Sequence, residues 1–208
     1  MSAPTFGAGV NFKGKRVDFM RISLARPVTA AATLAALALP ALALDGPPVA
    51  PVRPVTNTYW GQAVGGALTQ RPDLFAAIID NVGASDTLRI ELSPNGPPNV
   101  PEFGTVTTEE GFKGLYAMSA YHHVRDSVRY PGVLLTTGIH DPRVDSWQMA
   151  KMTARLQAAS TSGKPILLRV DYDAGHGIGS TKSQGIDEMA DEWSFLLWQF
   201  GDKAFQPK

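Results

Sequence analysis

The stretch from Gly138 to Gly179 constrains the fold of this chain more than any other. It reads GIHDPRVDSWQMAKMTARLQAASTSGKPILLRVDYDAGHGIG. One apolar run enters it, Val133–Thr137, and a second, Pro165–Asp171, runs through its later half. Between them, Met149, Met152 and Leu156 recur at the spacing of one helix face. Asp145 and Ser146 stand where N-caps belong, and Gly163 and Pro165 close the helical stretch. Strand, helix and strand in succession make a parallel unit with a right-handed crossover. The second run is apolar enough to be central in a parallel sheet.

The rest of the chain continues this alternation. AVGGALTQ, from Ala63, reads as the end of a helix. A turn follows at Arg71–Pro72–Asp73, then an apolar strand from Phe75 to Val82. Residues 92–108 are rich in Pro, Gly and Asn and read as a loop. Glu109–Met118 reads as a short helix with Phe112, Leu115 and Tyr116 on one face. The last helix, about Ser183–Phe200, carries Ile186, Met189, Trp193, Leu196, Leu197 and Phe200 at helical spacing, expected to pack into the core. Gly201 ends it. The fold class is α/β, with three strands, fewer than a complete doubly wound domain has.

The N-terminal part differs in character. Residues 1–19 show neither helical nor strand periodicity and are expected to be a spurious or disordered extension ahead of a true start at Met20. Residues 20–44 have Arg21 and Arg26, an apolar run from Val28 to Leu44, and the small-residue end Ala41–Leu42–Ala43. This describes a secretory signal peptide. The run contains Pro40 and falls short of the roughly 20 residues a membrane span needs, so no stable span is expected. If that signal is used, the protein is secreted or periplasmic; otherwise it is cytoplasmic. Residues 45–62 are rich in proline and expected to lie extended on the surface. Residues 63–208 form the folded part.

Charge and cysteine exclude several functions. Lys and Arg together number 19, as do Asp and Glu, and no basic stripe suggests nucleic acid. The absence of cysteine removes disulfides, thiolate nucleophiles and thiolate zinc sites. His122–His123 and His140 match no zinc spacing and read as exposed histidines. Gly175, Gly177 and Gly179 lack the last glycine of a dinucleotide loop. Nothing in the sequence calls for a cofactor or metal.

Asp141 follows the first of the two strands and His176, between two glycines, follows the second. Loops at the carboxyl ends of strands are where an open α/β sheet places its site. An acid there orients a histidine, and the histidine takes a proton from a nucleophile. Acid before histidine is the order of the last two triad members in an α/β-hydrolase. The nucleophile is missing, because no G-x-S-x-G elbow occurs. Ser85, in Gly83–Ala84–Ser85–Asp86, lacks the second glycine and a helix directly behind it, and reads as a turn cap. Ser93, Ser119 and Ser180 have no supporting context.

Taken together, the segment Ala67–Phe75 (ALTQRPDLF), Val82–Gly83, YPGVLLTTGIHDPRV and VDYDAGHGIG resemble the C-terminal part of prolyl oligopeptidases. These are serine peptidases of α/β-hydrolase fold that cleave short peptides after proline. The resemblance runs from about Ala63 to Phe200. It implies that Asp141 is the triad acid, His176 the triad histidine, Arg143 the arginine that binds a substrate carbonyl, and Val144 a wall residue of the proline pocket. It also implies a short peptide as substrate. Pro47–Gln62 resembles the segment that begins the mature enzyme ahead of its β-propeller. The resemblance therefore implies a truncated hydrolase fold, with the propeller, the first strands and the G-G-S-x-G-G elbow missing near Gln62–Ala63. An inactive chain is the expectation. The alternatives are a non-catalytic remnant acting as a binding module, and a hydrolase using Ser85.

Overall fold

Three parallel strands form the centre of the structure, a computed structural model that describes residues 10–12, 15–17, 58–176 and 181–207. The expected signal peptide, the proline-rich residues up to 57, Gly177, Gly179 and Ser180 lie outside the described residues. Strands β1 (Val10–Phe12) and β2 (Lys15–Val17) pair antiparallel. Each is only three residues long, too short for the alternation to register as strand in the sequence.

Helix α1 spans Thr58–Gln70. It starts inside the segment expected to be extended. The prolines that argued against helix stop at Pro54, so nothing in residues 58–62 opposes one. Pro72 starts a 3-10 turn, and strand β3 follows at Ala77–Asn81. It is shorter than the apolar run, because Val82 adopts φ 47°. That value is strained for a β-branched residue and breaks the extended backbone.

The expected loop at residues 92–108 contains local helix. Pro97–Asn99 forms a 3-10 turn and helix α2 covers Val100–Phe103. Proline in a first turn loses no hydrogen bond, so these prolines start helix instead of preventing it. Helix α3, Glu109–Met118, is capped by Thr108, whose side chain accepts from Gly111 N. Of Phe112, Leu115 and Tyr116, only Leu115 is buried; Phe112 and Tyr116 are exposed and stacked on one another.

Strand β4 (Gly132–Gly138), helix α4 (Trp147–Ala159) and strand β5 (Ile166–Asp171) form the expected unit. Sheet order is β3-β4-β5, all parallel, with Ile79 opposite Leu134 and Leu134 opposite Leu167. Helix α5 spans Lys182–Gln199, with a capping box in which the Thr181 hydroxyl accepts from Gln184 N and Gln184 Oε1 accepts from Thr181 N. Neither Asp145 nor Ser146 caps α4 with its side chain: Ser146 stands at the N-cap without such a bond, and the Asp145 carboxylate accepts from Trp147 Nε1.

Because side chains alternate across a strand, the sheet has two apolar faces. Ile78, Val133, Leu135, Ile166 and Leu168 join Leu68 of α1 and Met149, Met152 and Leu156 of α4 in the larger core. Ala77, Ile79 and Leu134 meet Phe195 and Leu196 of α5 on the other face. The fold is thus a partial α/β-hydrolase sheet with helices on both faces, and no propeller occurs among the described residues. The expectation for α5 is met by one of its six residues, Leu196, with Leu197 partly buried. Leu196 and Phe195 are buried, whereas Ile186, Met189, Trp193 and Phe200 are exposed. Helix α5 is apolar on two sides, and the described residues cover one of them.

Candidate active site

The carboxyl ends of β4 and β5 lie side by side and launch two loops. Ile139 N donates to the Asp171 carbonyl at 2.9 Å, and His140 N donates to the Ala174 carbonyl at 3.1 Å. The loops are back to back: a Cβ added at Gly138 would lie 2.3 Å from the Gly175 carbonyl oxygen and 2.4 Å from that of Ala174. Glycine at 138 allows this approach.

Each loop is shaped by an aspartate. After β4, Asp141 Oδ1 accepts from the backbone N–H of Arg143 at 2.8 Å and of Val144 at 3.0 Å. Short acidic side chains bond nearby backbone in this way and fold the chain into a turn. After β5, Asp171 Oδ1 accepts from Asp173 N at 2.9 Å, and the chain turns toward His176. The turns bring His176 Nδ1 within 2.7 Å of Asp141 Oδ2, with the Asp141 side chain fully buried and that of His176 6% exposed.

Burial pushes the Asp141 carboxyl pKa up. The hydrogen bond from His176, those from the Val144 and Arg143 N–H groups and the attraction of the histidine outweigh it, and the pKa lies below its ordinary value. The carboxylate is therefore ionised near neutral pH and accepts only. Nδ1 of His176 must then carry the proton it shares with Asp141. In the neutral ring Nε2 is left with the lone pair. That tautomer can take a proton from a hydroxyl.

The other residues singled out in the sequence fall into place unevenly. Arg143 is exposed and next to the Asp141 turn, and its carbonyl accepts from Asn95 Nδ2 at 3.4 Å. Val144 is buried, 5% exposed, with its N–H on Asp141. Ser85 does not join the pair: it is 2% exposed and its hydroxyl donates to the Gln148 carbonyl at 2.9 Å. The Ser93 hydroxyl donates to the Ile90 carbonyl.

Ser119 has neighbours that imitate a triad. Its hydroxyl is 2.7 Å from His122 Nδ1, and the same nitrogen is 3.7 Å from Asp86 Oδ1. A relay needs the two ring nitrogens to face different partners, and here one nitrogen faces both. Ser119 is also fully buried and donates to the Ser85 carbonyl. The cluster is structural. Asp86, with its side chain fully buried, is neutralised by Lys151, whose ammonium lies 4.0 Å from the Tyr121 ring centre. Burial, opposed by the charge of Asp86, lowers the His122 pKa. His123 Nδ1 bonds the Ser119 carbonyl. No group of three or more His, Asp or Glu suited to a metal occurs among the described residues.

Sequence reasoning missed Gln148 and Asp80. Gln148 is 2% exposed; its side chain accepts from Asp86 N at 2.7 Å and donates to Asp86 O at 3.2 Å, tying the loop after β3 to the start of α4. Asp80 sits inside an apolar strand with both carboxylate oxygens buried and without hydrogen-bond partners, and burial pushes its pKa up to about 7. A lone acid within AIIDN was the available signal.

Comparison with known proteins matches residues 58–203 to the prolyl oligopeptidase family. A prolyl endopeptidase of Elizabethkingia meningoseptica is 35% identical over 147 residues, covering 70% of this chain and 21% of that protein. One from Dictyostelium discoideum is 36% identical, covering 65% and 18%. Among solved structures, one from a study of two prolyl endopeptidases superposes with TM-score 0.63 at 40% identity over 66% of this chain and 20% of the other. Oligopeptidase B from Leishmania major gives 0.65 at 25% identity, over 72% and 21%. The chain thus spans about a fifth of the length of the relatives it matches.

Proposed function

Given that this chain belongs to the prolyl oligopeptidase family of serine peptidases, we propose that it carries the acid and base of a peptidase site acting on short proline-containing peptides. The observation that carries this reading is the 2.7 Å contact between His176 Nδ1 and a buried Asp141 held by its own turn. His176 acts as general base through Nε2, taking the proton of a serine hydroxyl as it attacks the scissile carbonyl. It then returns that proton to the leaving amine. Asp141 holds the tautomer and stabilises the imidazolium. Arg143, exposed beside the turn, binds a substrate carbonyl, and Val144 walls the proline pocket. No residue here calls for a metal or cofactor in this chemistry.

The serine has to come from outside the elements described. Three candidates, Ser85, Ser93 and Ser119, donate their hydroxyls to main-chain carbonyls, and no nucleophile elbow occurs in the sequence. We infer that residues 1–208 by themselves do not hydrolyse peptides. Incubation with a fluorophosphonate probe tests this: no serine of the chain is expected to react, and a labelled Ser85 or Ser180 would refute it. The second reading, a non-catalytic binding module, is favoured by the exposed apolar side of α5. Stable, monomeric behaviour with that side accessible would support it.

A further inference from the structure

A single carboxylate sits where both loops of the candidate site leave the sheet, and the proposed peptidase chemistry does not use it. Asp171 is the last residue of β5, paired in register with Gly138, the last of β4. Its carbonyl takes Ile139 N–H, two residues ahead of Asp141, and its side-chain Oδ1 takes Asp173 N–H, three residues ahead of His176. The residue therefore holds the first turn of the histidine loop with its side chain while its main chain holds the acid loop.

The side chain is itself held from behind. Arg169 Nη1 lies 4.0 Å from Asp171 Oδ2, and Arg169 Nε donates to Asp191 Oδ2 of α5 at 2.9 Å, with Glu188 at 3.9 Å. The Arg169 side chain is 13% exposed and that of Asp171 18%. Charged pairs this shielded keep their geometry better than exposed ones. A chain of contacts thus runs from α5 through Arg169 to Asp171 and on to the turn that delivers His176.

We propose that Asp171 is a positioning residue for the His176–Asp141 pair, fixing the direction in which the histidine loop leaves β5. This rests on the reading of that pair as acid and base, and it concerns their geometry alone. Asp171 touches neither of them in the described contacts and acts through the turn at Asp173. Without the side-chain acceptor, the Asp173 N–H loses its partner. The loop is then free to swing, while the main-chain bond from Ile139 remains.

The test is proton NMR of the chain labelled with 15N-histidine, following the far-downfield Nδ1–H signal of His176 in its hydrogen bond to Asp141. Wild type is expected to show it, and Asp141→Ala to lose it. Asp171→Ala is expected to lose or broaden it while circular dichroism stays native. Asp171→Asn and Asp171→Ser, which retain a side-chain acceptor for Asp173 N–H, are expected to keep it. An undiminished signal in folded Asp171→Ala would overturn the proposal. If Asp171→Ala does not fold, the Asn and Ser variants decide: loss of the signal from either, when folded, overturns it, and retention in both supports it. No substrate is involved, so peptide cleavage that proved indifferent to His176 in a chain supplied with its serine would refute the peptidase reading and leave this result standing.

Discussion

His176 Nδ1 lies 2.7 Å from Asp141 Oδ2, while the other oxygen of the same carboxylate receives two N–H groups of its own turn. One side chain therefore shapes its loop and orients the histidine at once. Replacing Asp141 by Asn keeps an acceptor for the turn and faces an amide toward the histidine. With hydrogen bonds to a charged group worth about 1.5–3 kcal/mol, Asp141→Asn is expected to cost about 2 kcal/mol at pH 7. Urea denaturation measures it. The Asp141 pKa is lower folded than unfolded. The stabilisation is present above the ordinary carboxylate pKa and is lost as pH falls through the folded one. Wild type should therefore lose more stability than the variant in acid.

Asp80 has the opposite sign. Its folded pKa of about 7 exceeds the ordinary carboxylate value. The unfolded chain releases this proton first, so stability falls as pH rises from about 4 to about 7 and then levels. Replacement by Leu removes an unpaired buried charge and is expected to add on the order of 2–4 kcal/mol at pH 8, with little gain at pH 4. Thermal unfolding at the two pH values checks this. An equal gain at both would contradict a buried titrating acid.

The two sides of α5 should respond differently to substitution. Phe195 is fully buried against Ala77, Ile79 and Leu134, and Phe195→Ala is expected to cost about 3–5 kcal/mol. Ile186, Met189 and Trp193 are about half exposed or more, and changing them singly to Lys or Gln should alter stability by no more than about 0.5 kcal/mol. Denaturant midpoints distinguish these outcomes. Polar replacements there should also raise solubility, since the apolar stripe is a route to association.

Much of this arrangement is visible in the sequence because it is local. Val133–Thr137, Pro165–Asp171 and the Met149, Met152, Leu156 stripe each declare an element by spacing alone, and Asp141 and His176 gain meaning by following two of the strands. The buried side of α5 is not visible in this way, since helical spacing marks apolar sides without saying which one meets the sheet. Gln148 and Asp86 are 62 residues apart, and no local pattern announces their pairing. The start of α1 was hidden by prolines that lie ahead of it.

Gly138 lies where the two loops press together, and a β-branched side chain there has main-chain oxygens in its way. Gly138→Val should force the His176 loop outward, costing about 2–3 kcal/mol by the overpacking rule. Loss of the His176 downfield proton signal together with a lower melting temperature is the expected result; a signal unchanged from wild type would contradict the close packing.

The central claim is that Asp141 and His176 act as acid and base in a serine peptidase, and a chimera tests it most directly. The segment of a related prolyl endopeptidase that corresponds to residues 63–203 is replaced by the sequence from this chain, and kcat/KM is measured on a proline-containing peptide. The account predicts cleavage after proline that falls on the order of 1,000-fold or more in His176→Ala and Asp141→Ala versions. A folded chimera whose cleavage is indifferent to His176→Ala would contradict it.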